Sequence, residues 1–443
     1  MKSLPAAAMA VAMVSAFGSP ALAQVATPAT PRVGSPLNPA PVGPPSPPSL
    51  PDAVPMAVNG DALPANLTLP AALAEAEARS PAIQAALARA SAAAARVRQA
   101  GYRINPELSV EVENFAGTGE FSGTRGLETT VAINQRLDLG GRRRARVSVA
   151  RAELAAEELR LAIARADLAQ QVREQFARAI TARDRLRIAE ENASRANELA
   201  RIAGQLVDAG REPPLRAIRA RSAAAQTAAE LEAARADEVA GRRSLAALFG
   251  ATAPPDSVSG GLIDLAPQAI DPEQSLEIRL ADLELAVAEA EVGQQLAQRR
   301  LDPAVGVGVR QFRGSGDVAL VGGISMPIPV FDRNQGNIAA ARANVTAFQA
   351  RRASALATIT VRARNAIAAV AAAEARVRAL EGAAVPEAFE ALRLAQESYR
   401  EGRASLLELL DAQNAYRSAE SALVDARLAL ALATAELGRV AAR

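Results

Sequence analysis

The feature of this sequence that most restricts its fold is an internal repeat. Two halves of the chain follow the same order of helix, two strands, long helix, turn and helix. The Asn-Pro pair at residues 105–106 corresponds to the Asp-Pro pair at 302–303, and Gly210 with Arg211 corresponds to Gly402 with Arg403. Several matches occur in the same order, with spacings that differ by only a few residues. The sequence therefore predicts two equivalent structural units.

The region before the repeat is typical of an exported protein. Lys2 precedes an apolar stretch at residues 6–17, and Ala21 and Ala23 form a small-x-small triplet. We expect a signal peptide over residues 1–23 and a proline-rich linker without a packed core over 24–66. The first repeat is expected over 67–250, an inter-repeat linker over 251–272 and the second repeat over 273–443.

Each repeat holds one pair of candidate strands in which apolar residues alternate with polar ones. The strands are expected at about 106–115, 127–139, 304–312 and 317–328, each pair joined by a loop rich in small or polar residues. Four strands alone do not close a barrel, and an aqueous sandwich shows the same alternation. An exported chain with no other membrane anchor favours a barrel shared between subunits, because closure removes unpaired edges.

The remaining pattern predicts long helices. No proline occurs from residue 142 to residue 207, which corresponds to a helix on the order of 100 Å long. Near the C-terminus, leucine and alanine recur at heptad spacing, as in a coiled coil that packs and carries no chemistry. The first position of this seam holds Leu409, Tyr416, Leu423, Leu430 and Leu437, and the second holds Ala412, Ala419, Ala426, Ala433 and Val440.

Composition excludes several function classes. The chain has no His and no Cys, no phosphate-binding loop and no Gly-x-Ser-x-Gly elbow, so we expect no enzyme activity. Soft metal ligands and a lipid-acceptor cysteine are missing too, so no metal site, cofactor or acyl anchor is expected. Its formal net charge of +2 gives no electrostatic support for nucleic-acid binding. After the signal peptide, no apolar run approaches the length of a transmembrane helix.

Strand pairs and helical hairpins, duplicated in an exported chain, resemble the TolC-type outer-membrane factors of tripartite efflux systems over roughly residues 67–440. The segments at 105–108, 134–142 and 327–336 are most similar to the branch that serves heavy-metal pumps of the cobalt-zinc-cadmium type. Pro327 and Pro329 remove ladder donors, and Asp332 or Asn334 is expected to cap the following helix. The strand-to-helix transitions are assigned to Gly140, Gly141, Pro327, Pro329, Asp332 and Gly336.

The resemblance implies a mainly α fold with a small β part. Four strands per chain would contribute to a twelve-stranded transmembrane β-barrel in a homotrimer, and the helices to a coiled-coil barrel that reaches into the periplasm. The expected function is the exit duct of a resistance-nodulation-division pump, reached through a periplasmic adaptor, in the outer membrane of a Gram-negative bacterium. The expected cargo is heavy-metal cations. Multidrug efflux, type I protein secretion and a purely structural coiled coil remain as alternatives.

Residues 399–412 resemble the periplasmic tip of the family, where two carboxylates line the entrance. These map onto Glu408 and Asp411, which share a helix face and would form a ring of six acids in a trimer. The equivalent residues of the first repeat are Arg216 and Arg219, which either pair with this ring or lie on a solvated face. Two further assignments follow: a gating hydrogen bond from Tyr399, and adaptor or pump contacts at the turn residues Gly210, Arg211, Gly402 and Arg403.

Overall fold

A computed structural model of the protein describes residues 63–261 and 270–443. The expected signal peptide, most of the proline-rich linker and the middle of the inter-repeat linker lie outside these residues. The first half contains β1 (Asn66–Leu67), α1 (Leu69–Arg79), α2 (Pro81–Gly101), β2 (Glu107–Glu113), β3 (Glu128–Arg136), α3 (Arg142–Asp208) and α4 (Pro214–Ala247).

The second half repeats the same order of elements, which confirms the predicted duplication. It contains β4 (Ser257–Val258), α5 (Leu276–Gln298), β5 (Ala304–Phe312), β6 (Val318–Ser325), α6 (Gln335–Ala379), a π-helix (Leu380–Ala384), α7 (Val385–Arg400) and α8 (Leu406–Val440). In each half, a helix leads into two strands, and a long helix follows the second strand. The long helix of the second half is interrupted by the π-helix.

The four longer strands form one antiparallel sheet in the order β2-β3-β5-β6. Val110, Val131, Val309 and Leu320 lie in one row across it, so apolar side chains share one face. The neighbouring row carries Glu111, Thr130, Arg310 and Ala319 on the other face. The predicted alternation is therefore present, and within one chain the sheet is open at β2 and β6.

Two strands end earlier than the sequence suggested. Pairing along β3 stops at Arg136 and along β6 at Ser325, about three residues short in each case. Beyond β6, Pro327 and Pro329 have no N–H group to donate to a ladder, so the strand cannot continue through them. β3 gives way to a short segment that reaches Gly140 and Gly141 before α3 begins.

The helices pack around α3, which has 67 residues and is on the order of 100 Å long. It packs against α1, α2, α4, α5 and α8. Near its middle, Val172 and Phe176 are fully buried in a core that also contains Leu67, Leu245 and Val258. Leu67 and Val258 belong to the parallel strand pair β1–β4, which the sequence did not predict because two-residue strands have no periodicity to read.

The heptad seam of α8 faces the interior of the helical region, as predicted. Leu409, Ala426, Leu437 and Val440 are buried, and the other members of the seam are partly buried. Apart from Tyr416, the seam consists of apolar side chains that can only pack. This is the expected behaviour of a Leu/Ala coiled-coil stripe.

The π-helix between α6 and α7 was also not predicted. The N–H group of Val385 donates to the carbonyl of Leu380, five residues earlier, and Pro386 follows directly. Because proline has no N–H group, the regular helical ladder cannot pass this point unchanged. Glu381 in the π-helix accepts hydrogen bonds of 2.9 and 2.6 Å from Arg427, which ties the irregular turn to α8.

One helical stretch in the described part of the chain, Gln335–Arg400, is long and apolar enough by composition to cross a membrane. Its most apolar window has a mean hydropathy of 1.2 and is 22% buried. Arg362 and Arg364 lie within the stretch. The sequence shows no uninterrupted apolar run of about 20 residues here, so it did not indicate this stretch.

An ion-pair network around one buried arginine joins the two halves of the chain. Arg439 of α8 is only 6% exposed and pairs with Asp167 of α3 and, at 2.8 Å, with Glu277 of α5. Next to it, Arg362 of α6 donates to Glu436 at 2.6 Å, and Gln170 of α3 donates to the same carboxylate at 2.8 Å. The pKa of Glu436 is lowered, chiefly by the hydrogen bond from Arg362.

We expect Arg439→Met to destabilise the protein by about 3 kcal/mol, because it leaves carboxylates without their buried partner. The matched control is Arg185→Met. Arg185 also joins α3 to α8, through Asp425, but both side chains are more than half exposed, so its loss should cost less than about 1 kcal/mol. The measurement is guanidinium unfolding of the purified protein followed by far-UV circular dichroism. Equal losses of unfolding free energy in the two variants would show that the burial of Arg439 does not determine its contribution to stability.

Candidate functional site

The hairpins α3–α4 and α7–α8 end in turns of the same backbone geometry. Gly210 has a φ angle of 71° and Gly402 a φ angle of 73°, a region that favours glycine. The N–H group of Arg211 donates to the carbonyl of Leu206 at 2.9 Å, and that of Arg403 donates to the carbonyl of Ser398 at 2.8 Å. These are Schellman turns at equivalent positions of the two repeats. We call this end of the molecule the tip.

Both turns border one cavity of about 1020 Å³, the tip pocket, which lies between the two hairpins. Of the residues singled out in the sequence, Tyr399, Arg216, Arg211, Gly402 and Arg403 line it. Glu408, Asp411 and Arg219 do not, and all three are exposed on other helix faces. The structure thus divides the sequence-derived set into a group inside the pocket and a group outside it.

Tyr399 and Arg216 share the lining of the tip pocket with a residue that sequence reasoning missed, Glu212. Arg216 pairs with one oxygen of Glu212. The second oxygen, Oε2, and the hydroxyl of Tyr399 are buried and have no hydrogen-bond partner among the residues that the structure describes. Burial raises the pKa of Tyr399, and the charge of Glu212 raises it further while Arg216 opposes the change. The four-residue spacing of Glu212 and Arg216 was the available signal for this pair.

Glu408 has a structural task that the sequence analysis did not consider. Ser405 is the N-cap of α8, and its Oγ accepts a hydrogen bond from the N–H group of Glu408 at 3.3 Å. The carboxylate of Glu408 in turn accepts a 2.7 Å hydrogen bond from the N–H group of Ser405. This reciprocal capping box was visible as Ser-x-x-Glu in the sequence. Asp411, one turn later, remains exposed to solvent.

Within one chain, neither arginine pairs with the two carboxylates. Arg216 is engaged by Glu212, and Arg219 forms no ion pair within the described ranges 63–261 and 270–443. The assignment of Glu408, Asp411, Arg216, Arg219 and Tyr399 to a gate therefore stays a prediction.

A compact cluster holds α3 against α7 and α8 behind the tip. Leu199, Leu392, Leu406 and Leu409 are buried together, with Tyr416 packed beside them.

Tyr416 makes several directed contacts within this cluster. Its ring lies 5.5 Å from the ring of Phe389, and the guanidinium of Arg195 lies 5.6 Å from its centroid. Its hydroxyl donates to Glu420 at 2.8 Å. Because these contacts span three helices, they fix the position of the tip relative to the helices above it.

The strand-to-helix transitions use left-handed residues at the helix N-caps. Gly141 precedes α3 with a φ angle of 77°, and Asn334 precedes α6 with a φ angle of 59°. Gly140 is buried, and a Cβ atom there would lie 3.0 Å from the Cβ of Arg300. By contrast, the second residue of α6, Gly336, has open space around it and an ordinary φ angle.

The expected capping of α6 by Asp332 or Asn334 was wrong in its detail. Asn334 occupies the N-cap position, but its side chain accepts no helical N–H group. Instead, its amide donates to the carbonyl of Gln295 at 2.8 Å and so attaches the helix start to α5. Asp332 accepts a 2.8 Å hydrogen bond from the N–H group of Asn334 and shapes the turn before the helix. The Asp332 carboxylate therefore bonds the residue before the helix and does not cap the helix backbone.

Comparison with known proteins identifies the family. The model of the outer membrane efflux protein family matches residues 72–251 and 272–443, which is most of the chain. The chain belongs to the outer membrane efflux protein family. Membership places it in the outer membrane, and the proteins of this family are channels and not enzymes. The recognition made from the sequence is therefore confirmed.

Several relatives carry metal-resistance names. The nickel-cobalt-cadmium resistance protein NccC of Alcaligenes xylosoxydans is 31% identical over 280 residues, 62% of this chain and 63% of NccC. The cobalt-zinc-cadmium resistance protein CzcC of Cupriavidus metallidurans is 28% identical over 354 residues, 78% of this chain and 83% of CzcC. This chain thus covers a little under two thirds of the length of NccC and a larger share of the length of CzcC.

Solved structures confirm the fold class. The outer membrane protein VceC from Vibrio cholerae superposes with a TM-score of 0.71 at 24% identity, covering 84% of this chain and 96% of VceC. A membrane protein from Pseudomonas aeruginosa gives a TM-score of 0.73 at 22% identity, covering 84% of this chain and 89% of that protein. The mainly helical architecture with a small β part is therefore shared with these channels.

Tyr416 gives the site a testable pH dependence. Burial, followed by the hydrogen bond to Glu420, raises its pKa from 10.0 to about 12. Since the folded state holds this proton more tightly than the unfolded chain, the stabilisation is complete below pH 10 and is lost as the pH rises through about 12.

Tyr416→Phe should therefore lose less stability than the wild type between pH 10 and 12, by about 1 kcal/mol after allowance for solvent around the ring. Thermal unfolding followed by circular dichroism measures this difference. Tyr102→Phe, at an exposed position, is the control and should follow the wild type. The same pH dependence in Tyr416→Phe and the wild type would contradict the assignment.

Proposed function

We propose that the protein is the outer-membrane exit duct of a tripartite efflux pump and works as a homotrimer. The observation that carries this proposal is the open sheet of one chain. Its edge strands β2 and β6 have unpaired backbone groups, and its apolar face is exposed, with Leu320 at 84%. A bilayer does not tolerate open edges, so joining β6 of one copy to β2 of the next would close a barrel. Three copies give twelve strands.

Strand and helix lengths agree with this role. β3 and β5 have nine residues each, close to the length of a tilted transmembrane strand. The 67-residue α3 continues from the sheet and is long enough to cross much of a periplasm. The tip, farthest along the helices from the sheet, would then meet a periplasmic adaptor and an inner-membrane pump of the resistance-nodulation-division type.

Heavy-metal cations are the proposed cargo. The support is the similarity to NccC and CzcC, whose names record resistance to nickel, cobalt, cadmium and zinc. The chain itself has no His or Cys, and no cluster of three or more potential ligands occurs in the part of it that the structure covers. The choice of metal would then be made by the pump and adaptor, and this protein would conduct what they deliver without catalysing a reaction.

At the entrance, we propose that Glu408 and Asp411 from three chains form a ring of six carboxylates. Both side chains are exposed and lie three residues apart on one face of α8, outside the tip pocket. Such a ring attracts cations and repels anions. Arg216 and Arg219, on the equivalent face of the first repeat, would alternate with it around the entrance, and Tyr399 would support the closed tip from within the pocket.

Growth of a deletion strain tests the proposed cargo. We expect the inhibitory concentrations of nickel, cobalt, cadmium and zinc to fall several-fold, and a plasmid-borne copy of the gene to restore them. Organic drugs and detergents are the control panel and should be tolerated as in the parent strain. Sensitivity to organic compounds alone would identify a multidrug duct. Loss of one secreted protein without any sensitivity would indicate type I secretion instead.

Reversal potentials in planar bilayers test the ring. Glu408→Gln with Asp411→Asn removes both charges while Gln can still close the capping box with Ser405, so the tip should keep its fold. We expect the ratio of cation to anion permeability to fall several-fold. The control is Glu390→Gln with Glu397→Gln, which removes two exposed carboxylates of α7 that pair with Arg393. Unchanged selectivity in the first variant would exclude these residues from the entrance.

A further inference from the structure

A second cavity lies at the junction between sheet and helices, far from the tip. This junction groove has a volume of about 700 Å³ and is formed by the start of α3, the end of α5 and the segment between β6 and α6. Asp332 is its one acidic lining residue. Against this single carboxylate, the lining includes five arginines: Arg142, Arg146, Arg299, Arg300 and Arg333.

Two of these arginines hold the groove together. Arg142 pairs with Asp302 at 2.9 Å and donates to the carbonyl of Arg300 at 2.7 Å, and Arg300 donates to the carbonyl of Gly140 at 3.1 Å. The guanidinium groups of the other three, Arg146, Arg299 and Arg333, have no ion pair or hydrogen bond in the described parts of the chain. Three uncompensated positive charges therefore face one cavity.

The rim of the groove is apolar and open to the outside. Phe331 is 91% exposed, and Ile328 and Val330 are also exposed. These residues directly follow β6 and extend the apolar stripe that Leu320 and Ile324 begin. An aromatic and aliphatic rim with arginines immediately beyond it is the pattern of a bilayer interface, where acyl chains meet headgroups.

We propose that the junction groove binds the headgroup of an anionic glycerophospholipid from the inner leaflet of the outer membrane. Guanidinium groups pair with phosphate oxygens in a forked geometry, and three free ones suit a phosphate diester whose charge is not cancelled by an amine. The apolar rim takes the first part of the acyl chains. The cavity is larger than a lone phosphate requires, which leaves room for the glycerol.

A neighbouring copy of the chain is a poorer occupant. If β6 pairs with β2 of a second copy, the segment that leads into that β2 comes closest to the groove. From Arg98 to Pro106, before Glu107 begins β2, this segment carries Arg98 and Arg103 and no acidic residue, so it adds positive charge beside the three free arginines. Assembly would therefore increase the attraction of the groove for an anion.

Native mass spectrometry of the full chain in detergent tests the proposal, with dioleoyl phosphatidylglycerol as the probe. The triple variant Arg146→Ala, Arg299→Ala, Arg333→Ala should bind this lipid at least about tenfold more weakly, since each arginine near an anionic headgroup contributes to binding. The matched control is Arg187→Ala, Arg235→Ala, Arg378→Ala, which removes the same charge elsewhere. Arg187, for example, lies more than about 60 Å along α3 from Arg142. The control should bind as the wild type does.

Three results would overturn the proposal. The first is equal lipid binding by the triple variant and the wild type. The second is a loss of lipid binding in the control variant as large as that in the triple variant. The third is displacement of the lipid by equimolar inorganic phosphate, which would mean that the groove recognises free phosphate. Should the triple variant fail to fold, Arg299→Glu, at the exposed end of α5, replaces it, with Arg378→Glu as its control. Metal efflux is not measured in this assay, so the proposed function stands or falls separately.

Discussion

Close packing of helices against α3 is the constraint on which the rest of the structure depends. The buried side of α3 contains many alanines, among them Ala156, Ala177, Ala193 and Ala203. Small side chains allow neighbouring helices to approach closely, since the distance between helix axes is set by the residues at the contact. α3 belongs to the first repeat, whereas α5 and α8 belong to the second. The same alanine-rich surface therefore holds the two repeats together, and Arg439 reinforces it with buried ion pairs to both α3 and α5.

Elements with a strong local pattern could be predicted from the sequence. The four long strands alternate apolar and polar residues, and α3 contains no proline, so both were found with small errors at the ends. The short pair β1–β4 could not be predicted. Each strand has only two residues, and their pairing depends on burial in the core around Phe176, which no sequence periodicity indicates. The π-helix before Pro386 was not predicted either, because a proline shows that the helical ladder loses a donor but not how the backbone accommodates the loss.

The candidate site was predictable to the extent that it is local. Gly210 and Gly402 mark their turns because a left-handed backbone requires glycine, a property of the sequence at that point. Glu212 and Tyr399 belong to two hairpins almost two hundred residues apart in sequence. They come together only because the hairpins pack against each other, which no sequence periodicity indicates. The roles of Asp332 and Asn334 were misjudged for the same reason, since Asn334 binds a carbonyl of α5. Ser405 is different, because its capping box was readable and was overlooked.

Duplication explains how one backbone can carry two chemistries at the tip. The turns at Gly210 and Gly402 differ by only two degrees in φ, and each is followed by a helix that begins four residues later. The first of these helices begins with Pro214 at its N-terminus and the second with the capping box of Ser405. Beyond the caps, however, equivalent faces carry arginines in one repeat and carboxylates in the other. Glu408 also belongs to the capping box of its turn, whereas Asp411 and Arg219 are exposed and take no part in either turn. In a trimer, the proposed entrance would thus be surrounded by alternating basic and acidic hairpins, which can attract one another when closed and present the carboxylates when separated.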